Sequence, residues 1–278
     1  MTFGNRGRSM KIKYVVSSMV FWGCENNLTF EQDCEFLRSL GFGIELWPNE
    51  GGLNACKYDR RNWKRLSHAT KEMLVSMRSR NDNPTLEQWQ EQIQCAEMLD
   101  SRIVTDLRSF GIPEGEDLNG RDLPRQIVEM AQQSNVRLCI ETGSLKQVKQ
   151  LGKKFDSIGY CLDTGFANLD KNVGFKKYVD ELAERITHLH INDNYGRTND
   201  HAPPGLAGGI SRQNWDYLLE ALNRYDNEII ACLEMRPPSP TCIIRQASDF
   251  LFDHLNWPDK PRSSEDRPAR NRIPAKNR

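Results

Sequence analysis

The sequence predicts a single-domain α/β fold, a (β/α)8 TIM barrel, from three observations. Short β-rich segments alternate eight times with helical segments over 278 residues, a usual length for one such barrel. Strict alternation implies parallel strands with right-handed crossovers. The turn G-x-G-x-x-G, which often follows the first strand of an open doubly wound sheet, is missing from the sequence. We expect an N-terminal extension (1–10), the barrel (11–257) and a disordered basic tail (258–278).

Eight short segments rich in Val, Ile and aromatic residues are the predicted strands. In chain order they are KIKYVVSSMVFWG (11–23), FGIELWP (42–48), EMLVSMRSR (72–80), RIVTDLRSF (102–110), VRLCIETG (136–143), SIGYCLDTG (157–165), ITHLHIND (186–193) and NEIIACLEMRPP (227–238).

The predicted helices follow these strands one by one and keep helical spacing of their apolar residues. They are LTFEQDCEFLRSLGF (28–42), DRRNWKRLSHATKE (59–72), TLEQWQEQIQCAEMLD (85–100), DLPRQIVEMAQQSN (122–135), SLKQVKQLGKKFD (144–156), GFKKYVDELAERI (174–186), SRQNWDYLLEALNRYD (211–226) and TCIIRQASDFLFDHL (241–255). Thr29 is placed to cap the first helix, with Gln32 completing a capping box, and Ser211 is placed to cap the seventh.

The composition excludes several partners. Lys plus Arg and Asp plus Glu both number 38, so no global field attracts nucleic acid or an acidic membrane. No apolar run approaches the roughly 20 residues needed to cross a bilayer. Of the eight cysteines, Cys139, Cys161 and Cys232 fall inside strand segments, and Cys34 and Cys95 inside helical ones. This placement favours reduced, buried thiols and a cytoplasmic location. Whether the chain forms a homo-oligomer is left open.

Four successive strand segments end in a residue that can bind a metal: Glu141, Asp163, His190 and Glu234. Parallel strands of a closed barrel bring their C-terminal ends together around one mouth. Hard divalent ions such as Mg²⁺ and Mn²⁺ take carboxylate oxygens and tolerate an imidazole. The pattern therefore favours one shared metal site over four separate capping or salt-bridge roles.

A second layer is expected one step deeper in the barrel. The residues two positions earlier point the same way, and they are Cys139, Cys161, His188 and Cys232. They are either small fillers beneath the site, the simpler interpretation, or a Cys3His zinc site. Stagger between adjacent barrel strands argues against the zinc site, because the four side chains need not share a level.

The chain resembles the xylose isomerase-like barrel superfamily, which includes sugar isomerases, ketose 3-epimerases, inosose dehydratases and abasic-site endonucleases. The similarity covers about residues 11–256. The segments that carry it are Ile44-Glu45-Leu46, Ile140-Glu141-Thr142, Leu162-Asp163-Thr164-Gly165, His188-Leu189-His190-Ile191-Asn192-Asp193, the Asp200-to-Gly205 loop and Leu233-Glu234.

The resemblance implies an activity: metal-dependent isomerisation or epimerisation of a sugar or sugar-like ketone. The strand-end residues Glu141, Asp163, His190 and Glu234 would hold one Mn²⁺ or Mg²⁺, with Co²⁺ or Zn²⁺ as further options. The substrate would be a small carbohydrate, and the ion would stabilise the enediolate formed when a C–H proton is removed. Glu141 and Glu234 would exchange protons with the two faces of the substrate.

Four further residues are candidates for binding the substrate. Glu45 would either line the mouth or pair with Arg78. Arg197 would hold a substrate oxygen or lie at the surface, and His201 would bind substrate or metal or be exposed. Phe166 occupies the position at which the family commonly has a histidine, three residues after the strand-six aspartate.

Other departures from the family pattern bear on the activity. Strands three and four read Met77-Arg78-Ser79 and Asp106-Leu107-Arg108, where the endonucleases have zinc-binding histidines, so phosphodiesterase activity is disfavoured. Two alternatives stay open. One is a metal-dependent inosose-type dehydratase on the same barrel, and the other is a non-catalytic barrel that binds carbohydrate or a partner.

Overall fold

The computed structural model describes residues 10–23, 28–48, 57–80, 83–113, 116, 122–239 and 241–263. Almost all of the predicted N-terminal extension, and the tail from residue 264 onwards, lie outside the described residues. No helix among those described is long and apolar enough to cross a membrane.

Eight parallel strands form a closed barrel in chain order, which confirms the predicted fold. The strands are β1 (Lys11–Ser17), β2 (Gly43–Leu46), β3 (Val75–Arg78), β4 (Arg102–Thr105), β5 (Leu138–Glu141), β6 (Gly159–Asp163), β7 (Ile186–Ile191) and β8 (Glu228–Leu233). The barrel closes where β1 pairs with β8 over six residues, from Lys11 opposite Glu228 to Val16 opposite Leu233. All eight strand C-termini therefore meet at one mouth.

Helices cover the outside of the barrel, and a buried apolar core lies between the two layers. Within the described residues they are α1 (Phe30–Ser39), α2 (Trp63–Ala69), α3 (Leu86–Met98), α4 (Asp122–Gln133), α5 (Leu145–Lys154), α6 (Thr164–Leu169), α7 (Phe175–Leu182), α8 (Arg212–Leu222) and α9 (Thr241–Asp249). The predicted caps are confirmed, because Thr29 and Gln32 form a capping box and the Ser211 side chain accepts from Asn214 N.

Local predictions were wrong at several strand ends and after β6. The strands predicted to end at Phe110 and Pro238 end at Thr105 and Leu233. The first strand was expected to run to Gly23, but it ends at Ser17, whose side chain caps a 3-10 turn over Ser18–Phe21. The sixth strand was expected to run to Gly165 with no helix before Gly174, but α6 begins at Thr164 with Asp163 as its N-cap. An aspartate that accepts a backbone N–H in the first turn is a common helix start. The same residue type that suggested a metal ligand therefore also begins a helix.

The strand register sets the heights of the strand-end residues. Glu141 lies opposite Cys161, Asp163 opposite His190, and His190 opposite Cys232. The strand-end residues are thus displaced by two positions between β5 and β6 and between β7 and β8, in keeping with the shear of a closed barrel. Asp163 and His190 share one level, while Glu141 and Glu234 lie on either side of that level.

The packed chain continues past the boundary expected at residue 257. Asp259 accepts a hydrogen bond from Ile12 N at 3.0 Å, and the Tyr14 hydroxyl donates to Pro258 O at 2.7 Å. The backbone of Arg262 passes so close to Gly41 that a β-carbon there would lie 2.3 Å from its carbonyl oxygen. Residues 258–263 therefore lie against the N-terminal half of β1 and the α1–β2 connection.

Candidate metal centre

Four strand-end side chains converge at the mouth of the barrel. Glu141, Asp163, His190 and Glu234 come from β5, β6, β7 and β8, and each offers one ligand atom within 4.8 Å of the other three. Asp163, His190 and Glu234 are buried, with 4%, 0% and 1% of their surface exposed. Strand order, register and burial together assemble this cluster.

Glu141 has a cationic neighbour on one side and the histidine on the other. Its Oε2 lies 2.6 Å from Arg78 Nη2, and its Oε1 lies 2.5 Å from His190 Nδ1. Arg78 ends β3, also reaches Asp106 at 3.3 Å, and lies over the Trp47 ring at 5.3 Å from its centre. Burial disfavours a charged Glu141, but Arg78 and His190 outweigh it and hold its pKa at about 2.

Asp163 is held by the chain that surrounds it. Its Oδ1 accepts from Phe166 N at 2.9 Å and from Asn192 Nδ2 at 3.1 Å, and its own N–H donates to Thr142 Oγ1 at 2.9 Å. Burial, with a further contribution from Glu141, raises the pKa of Asp163. The carboxylate is therefore fixed in direction while its second oxygen stays available to the cluster.

His190 has both ring nitrogens next to carboxylates. Nδ1 faces Glu141 and lies 3.1 Å from Glu234 Oε2, while Nε2 lies 3.0 Å from Glu45 Oε1. The ring meets His188 edge-on, with 5.3 Å between ring centres. The Nδ1 side therefore faces the strand-end cluster, and the Nε2 side faces the interior of the barrel.

Glu45 has no exposed surface. Its Oε2 accepts from Ser76 Oγ at 2.9 Å, and its Oε1 lies 3.3 Å from Trp47 Nε1. His188 Nε2 is also 2.9 Å from Glu45 Oε2, without the alignment of a hydrogen bond. Of the two roles that the sequence left open for Glu45, an ion pair with Arg78 is not formed, because in the described part of the chain Arg78 pairs with Asp106 and Glu141.

Glu234 and His201 form the remaining side of the cluster. His201 Nδ1 lies 3.6 Å from Glu234 Oε2, and the His201 backbone has a positive φ of 45°. The loop that carries His201 is tied down by its carbonyl, which accepts from Arg236 N at 2.8 Å. Neither Glu234 Oε2 nor His201 Nδ1 has an aligned hydrogen bond to any described residue. His201 thus borders the cluster, as one of its predicted roles requires.

The cluster has an excess of negative groups. Burial raises the pKa of Glu234 well above its usual value, and the carboxylates of Glu141 and Asp163 add to this effect. Burial disfavours a charged His190, yet Cys161 and the surrounding carboxylates raise its pKa well above the usual value. The buried carboxylates of the cluster contribute to both shifts.

This donor set fits a divalent cation. Opposite ligands of an octahedral Mg²⁺ or Mn²⁺ ion lie about 4.2 Å apart, since each bond is about 2.1 Å long, and the four donor atoms already lie within 4.8 Å. Carboxylate oxygens and one imidazole are the ligands these ions accept. Such an ion would satisfy the buried negative charge and Glu234 Oε2, which has no aligned hydrogen bond to the described residues.

Phe166 and Arg197 lie apart from the cluster. Phe166 belongs to α6, and its ring packs edge-on against Tyr178 at 6.2 Å. Only its backbone N–H reaches the site, through Asp163. Arg197 is exposed on the loop between β7 and α8.

The thiol layer does not assemble as one group. Among the described residues, a possible ligand cluster beneath the site contains Cys161, His188 and His190 only. Cys139 lies beside Thr187, with 3.3 Å between the sulfur and the hydroxyl oxygen, and Cys232 packs with Val15 and Ile230. Cys139 also packs in one apolar cluster with Val104 and Cys161, so the simpler interpretation as buried fillers accounts for Cys139 and Cys232.

Two features of the mouth were not assigned roles by the sequence. Arg78 was noted only as a departure from the family and a possible partner for Glu45. An arginine at the end of a predicted barrel strand was the available signal, because an arginine that is buried there needs a carboxylate nearby. Trp22 and Trp47 meet edge-on at 6.3 Å beside the site. Trp47 directly follows β2, and Trp22 follows the 3-10 turn after β1; the available signal was a tryptophan near the C-terminal end of each of the two predicted strands.

Comparison with known proteins places the chain among barrels of one family. Residues 57–254 match the model of the family described as xylose isomerase-like TIM barrel. No curated protein sequence matches the chain significantly.

Several solved structures share the fold at low sequence identity. A D-psicose 3-epimerase solved in the presence of D-fructose is 16% identical, with a TM-score of 0.59, covering 88% of this chain and 100% of that one. The D-psicose 3-epimerase of Clostridium cellulolyticum H10, solved with D-tagatose, is 13% identical, with a TM-score of 0.56 and coverages of 88% and 98%. A D-allulose 3-epimerase from Methylomonas sp. is 11% identical, with a TM-score of 0.55 and coverages of 80% and 84%.

Proposed function

Since the chain belongs to the xylose isomerase-like TIM barrel family, we propose that it is a divalent-metal-dependent isomerase or epimerase of a sugar or sugar-like ketone. The observation that carries this proposal is the group of three carboxylates and one imidazole at the C-terminal mouth of the barrel. Ketose 3-epimerases among the structures of similar fold support the choice of substrate class.

Glu141, Asp163, His190 and Glu234 would hold the ion, with Mn²⁺ or Mg²⁺ as the first candidates and Co²⁺ or Zn²⁺ as alternatives. When bound, a divalent ion polarises a carbonyl oxygen and acidifies the neighbouring C–H group. His201 and Arg78 border the same space and are candidates to donate hydrogen bonds to substrate oxygens. Their positions beside Glu234 and Glu141 support this assignment.

Glu234 and Glu141 are the candidates for proton transfer, and their surroundings differ. Both oxygens of Glu141 have a close partner, one on Arg78 and one on His190. Glu234 Oε2 has no aligned hydrogen bond to the described residues. Glu234 is therefore the freer carboxylate and the stronger candidate to accept a proton, while Glu141 stays anionic until its partners shift.

The test begins with metal content and a substrate screen. Purified protein is analysed for bound metal, stripped with chelator, and assayed on ketoses and inososes with and without Mn²⁺. We expect a rise in melting temperature with Mn²⁺ and interconversion of at least one ketose. A product lighter by one water would identify a dehydratase instead. The absence of both bound metal and stabilisation by Mn²⁺ would contradict the proposal and favour a non-catalytic barrel.

Substitution of the two glutamates tests their roles. Glu141→Gln and Glu234→Gln should each lower kcat by about 10²–10⁴-fold, the range for loss of a general acid or base. Glu228→Gln is the matched control, because Glu228 begins β8 at the opposite end of the barrel and pairs there with Lys13. Unchanged turnover in either site variant would exclude that residue from proton transfer.

A further inference from the structure

Glu45 is a fully buried carboxylate that takes no part in the proposed proton transfer, yet it touches the centre of the site. We infer that Glu45 is a positioning residue for His190: it accepts a hydrogen bond from Nε2–H, so that Nδ1 faces the bound cation. The inference rests on the proposed metal site and assigns a role within it to a residue of β2.

The geometry of His190 carries the first step. Glu45 Oε1 lies 3.0 Å from Nε2, while Glu141 Oε1 and Glu234 Oε2 lie 2.5 and 3.1 Å from Nδ1. A histidine that binds a metal through Nδ1 must carry its ring proton on Nε2. A carboxylate at hydrogen-bond distance from Nε2 favours that tautomer and fixes the orientation of the ring.

The surroundings of Glu45 keep its carboxylate in place. Ser76 Oγ donates to Oε2 at 2.9 Å, and Trp47 Nε1 donates to Oε1 at 3.3 Å. His188 packs against the same carboxylate, with Nε2 2.9 Å from Oε2 and no exposed surface. A carboxylate supported from three sides has little freedom to turn away from His190.

An ordinary structural ion pair explains Glu45 less well. Across the part of the chain that the structure describes, the cation-forming groups that contact Glu45 are the imidazoles of His188 and His190, and no Lys or Arg side chain forms an ion pair with it. Burying a carboxylate is costly unless it is well hydrogen-bonded. Two imidazoles are weak partners for a carboxylate buried only for stability, but they are the partners expected of a carboxylate that orients a metal-binding imidazole.

The test measures metal binding rather than turnover. Chelator-treated wild type, Glu45→Gln and Glu45→Asp are titrated with Mn²⁺ by calorimetry and with Co²⁺ by visible absorption. We expect Glu45→Gln to weaken binding by about 10–100-fold, the usual effect of losing the hydrogen-bond partner of a metal ligand. Glu45→Asp keeps the charge but shortens the side chain, so that its affinity should fall between wild type and Glu45→Gln. Glu228→Gln is the matched control, because it makes the same chemical change at the opposite end of the barrel, where Glu228 pairs with Lys13, and its affinity should stay close to wild type.

A second readout does not depend on affinity. In the wild type saturated with diamagnetic Zn²⁺, nitrogen NMR should show the His190 ring, one of five histidine rings, with a protonated Nε2 and an unprotonated Nδ1. His190→Gln assigns that signal. A His190 ring protonated on Nδ1 would overturn the inference.

The outcomes separate this inference from the proposed function. If the wild type binds metal and both Glu45 variants, folded by circular dichroism, bind it equally well, Glu45 does not position His190 although the metal site stands. If the wild type binds neither Mn²⁺ nor Co²⁺, the metal site itself is refuted. Weakened binding in Glu45→Gln with normal binding in Glu228→Gln supports the assignment.

Discussion

Glu31 and Asp33, at the start of α1, show how neighbours decide the behaviour of a carboxyl group. Glu31 is half-exposed and accepts a hydrogen bond from Arg65 Nε at 2.6 Å, and this contact lowers its pKa to about 2. Asp33 is buried, and desolvation with the added repulsion of Glu31 raises its pKa to about 7. Residues of one class, two positions apart, thus shift in opposite directions.

The raised pKa of Asp33 predicts a contribution to stability that depends on pH. Below the usual pKa of 3.8 the carboxyl is neutral in both the folded and the unfolded state. As pH rises towards 7 the unfolded state ionises first, so that the free energy of unfolding should fall, by on the order of 1 kcal/mol per pH unit. Asp33→Asn should remove this decline, measured by urea unfolding across that range. Glu35 lies on the exposed side of α1. If Glu35→Gln removed the decline as Asp33→Asn does, the effect would belong to any lost charge and not to Asp33.

Arg78 sets the electrostatic surroundings of Glu141 at the mouth of the barrel. It is 4% exposed and pairs with both Glu141 and Asp106. A buried guanidinium needs carboxylate partners, because an unpaired buried charge is strongly destabilising. Its position explains why Glu141 and Glu234, identical in chemistry, differ in their surroundings.

At the scale of elements, the helix starts are set by short local motifs. Thr29 and Thr85 each form a capping box, in which the threonine side chain accepts from the third residue of the helix and a glutamine side chain binds back to the cap. Ser144 precedes α5 but makes no such side-chain bond. Such motifs act within one turn, which is why sequence alone located the first of these helix starts.

Thr85→Ala should lower the free energy of unfolding by about 1 kcal/mol, because it leaves backbone donors of the first turn of α3 without their partner. Ser144→Ala is the matched control, since its hydroxyl forms no cap bond, and it should have a smaller effect. Chemical denaturation of both variants measures the difference. Equal losses would mean that the Thr85 cap contributes nothing specific.

At the scale of the whole molecule, the first and last described segments lie on the same side of the barrel. β1 closes the barrel against β8, and residues 258–263 then pack across β1. Tyr14 joins these parts, with its ring edge-on to Phe252 at 4.8 Å and its hydroxyl bound to Pro258 O. Burial, with Asp259 nearby, raises the pKa of Tyr14, so that it remains a donor over the ordinary pH range.

Tyr14→Phe should lower the free energy of unfolding by about 1 kcal/mol, because the carbonyl of Pro258 loses its buried donor. Tyr217→Phe is the control, since Tyr217 bonds Asp180 in an exposed position, and its loss should be smaller. Thermal and urea unfolding compare the two. No loss in Tyr14→Phe would mean that the segment after residue 257 is held by other contacts.

The fold and the members of the cluster could be predicted because their signals are local. Apolar periodicity, strand length and the residue that ends each strand are read from a few neighbouring positions, and closure of eight parallel strands follows from alternation. Where several local interpretations competed, prediction failed. Asp163 was interpreted only as a strand-end metal ligand, and it also caps α6.

The sequence by itself determined the barrel and the four ligand-type residues at its mouth. Only the tertiary structure decided that Glu45 lies behind His190, 145 residues away in the chain, and that Arg78 pairs with Glu141. The physical reason is the shear of the closed barrel, which sets the height of every strand against its neighbours and so decides which buried side chains meet. No local pattern records that offset, because it arises only when the first strand pairs with the last.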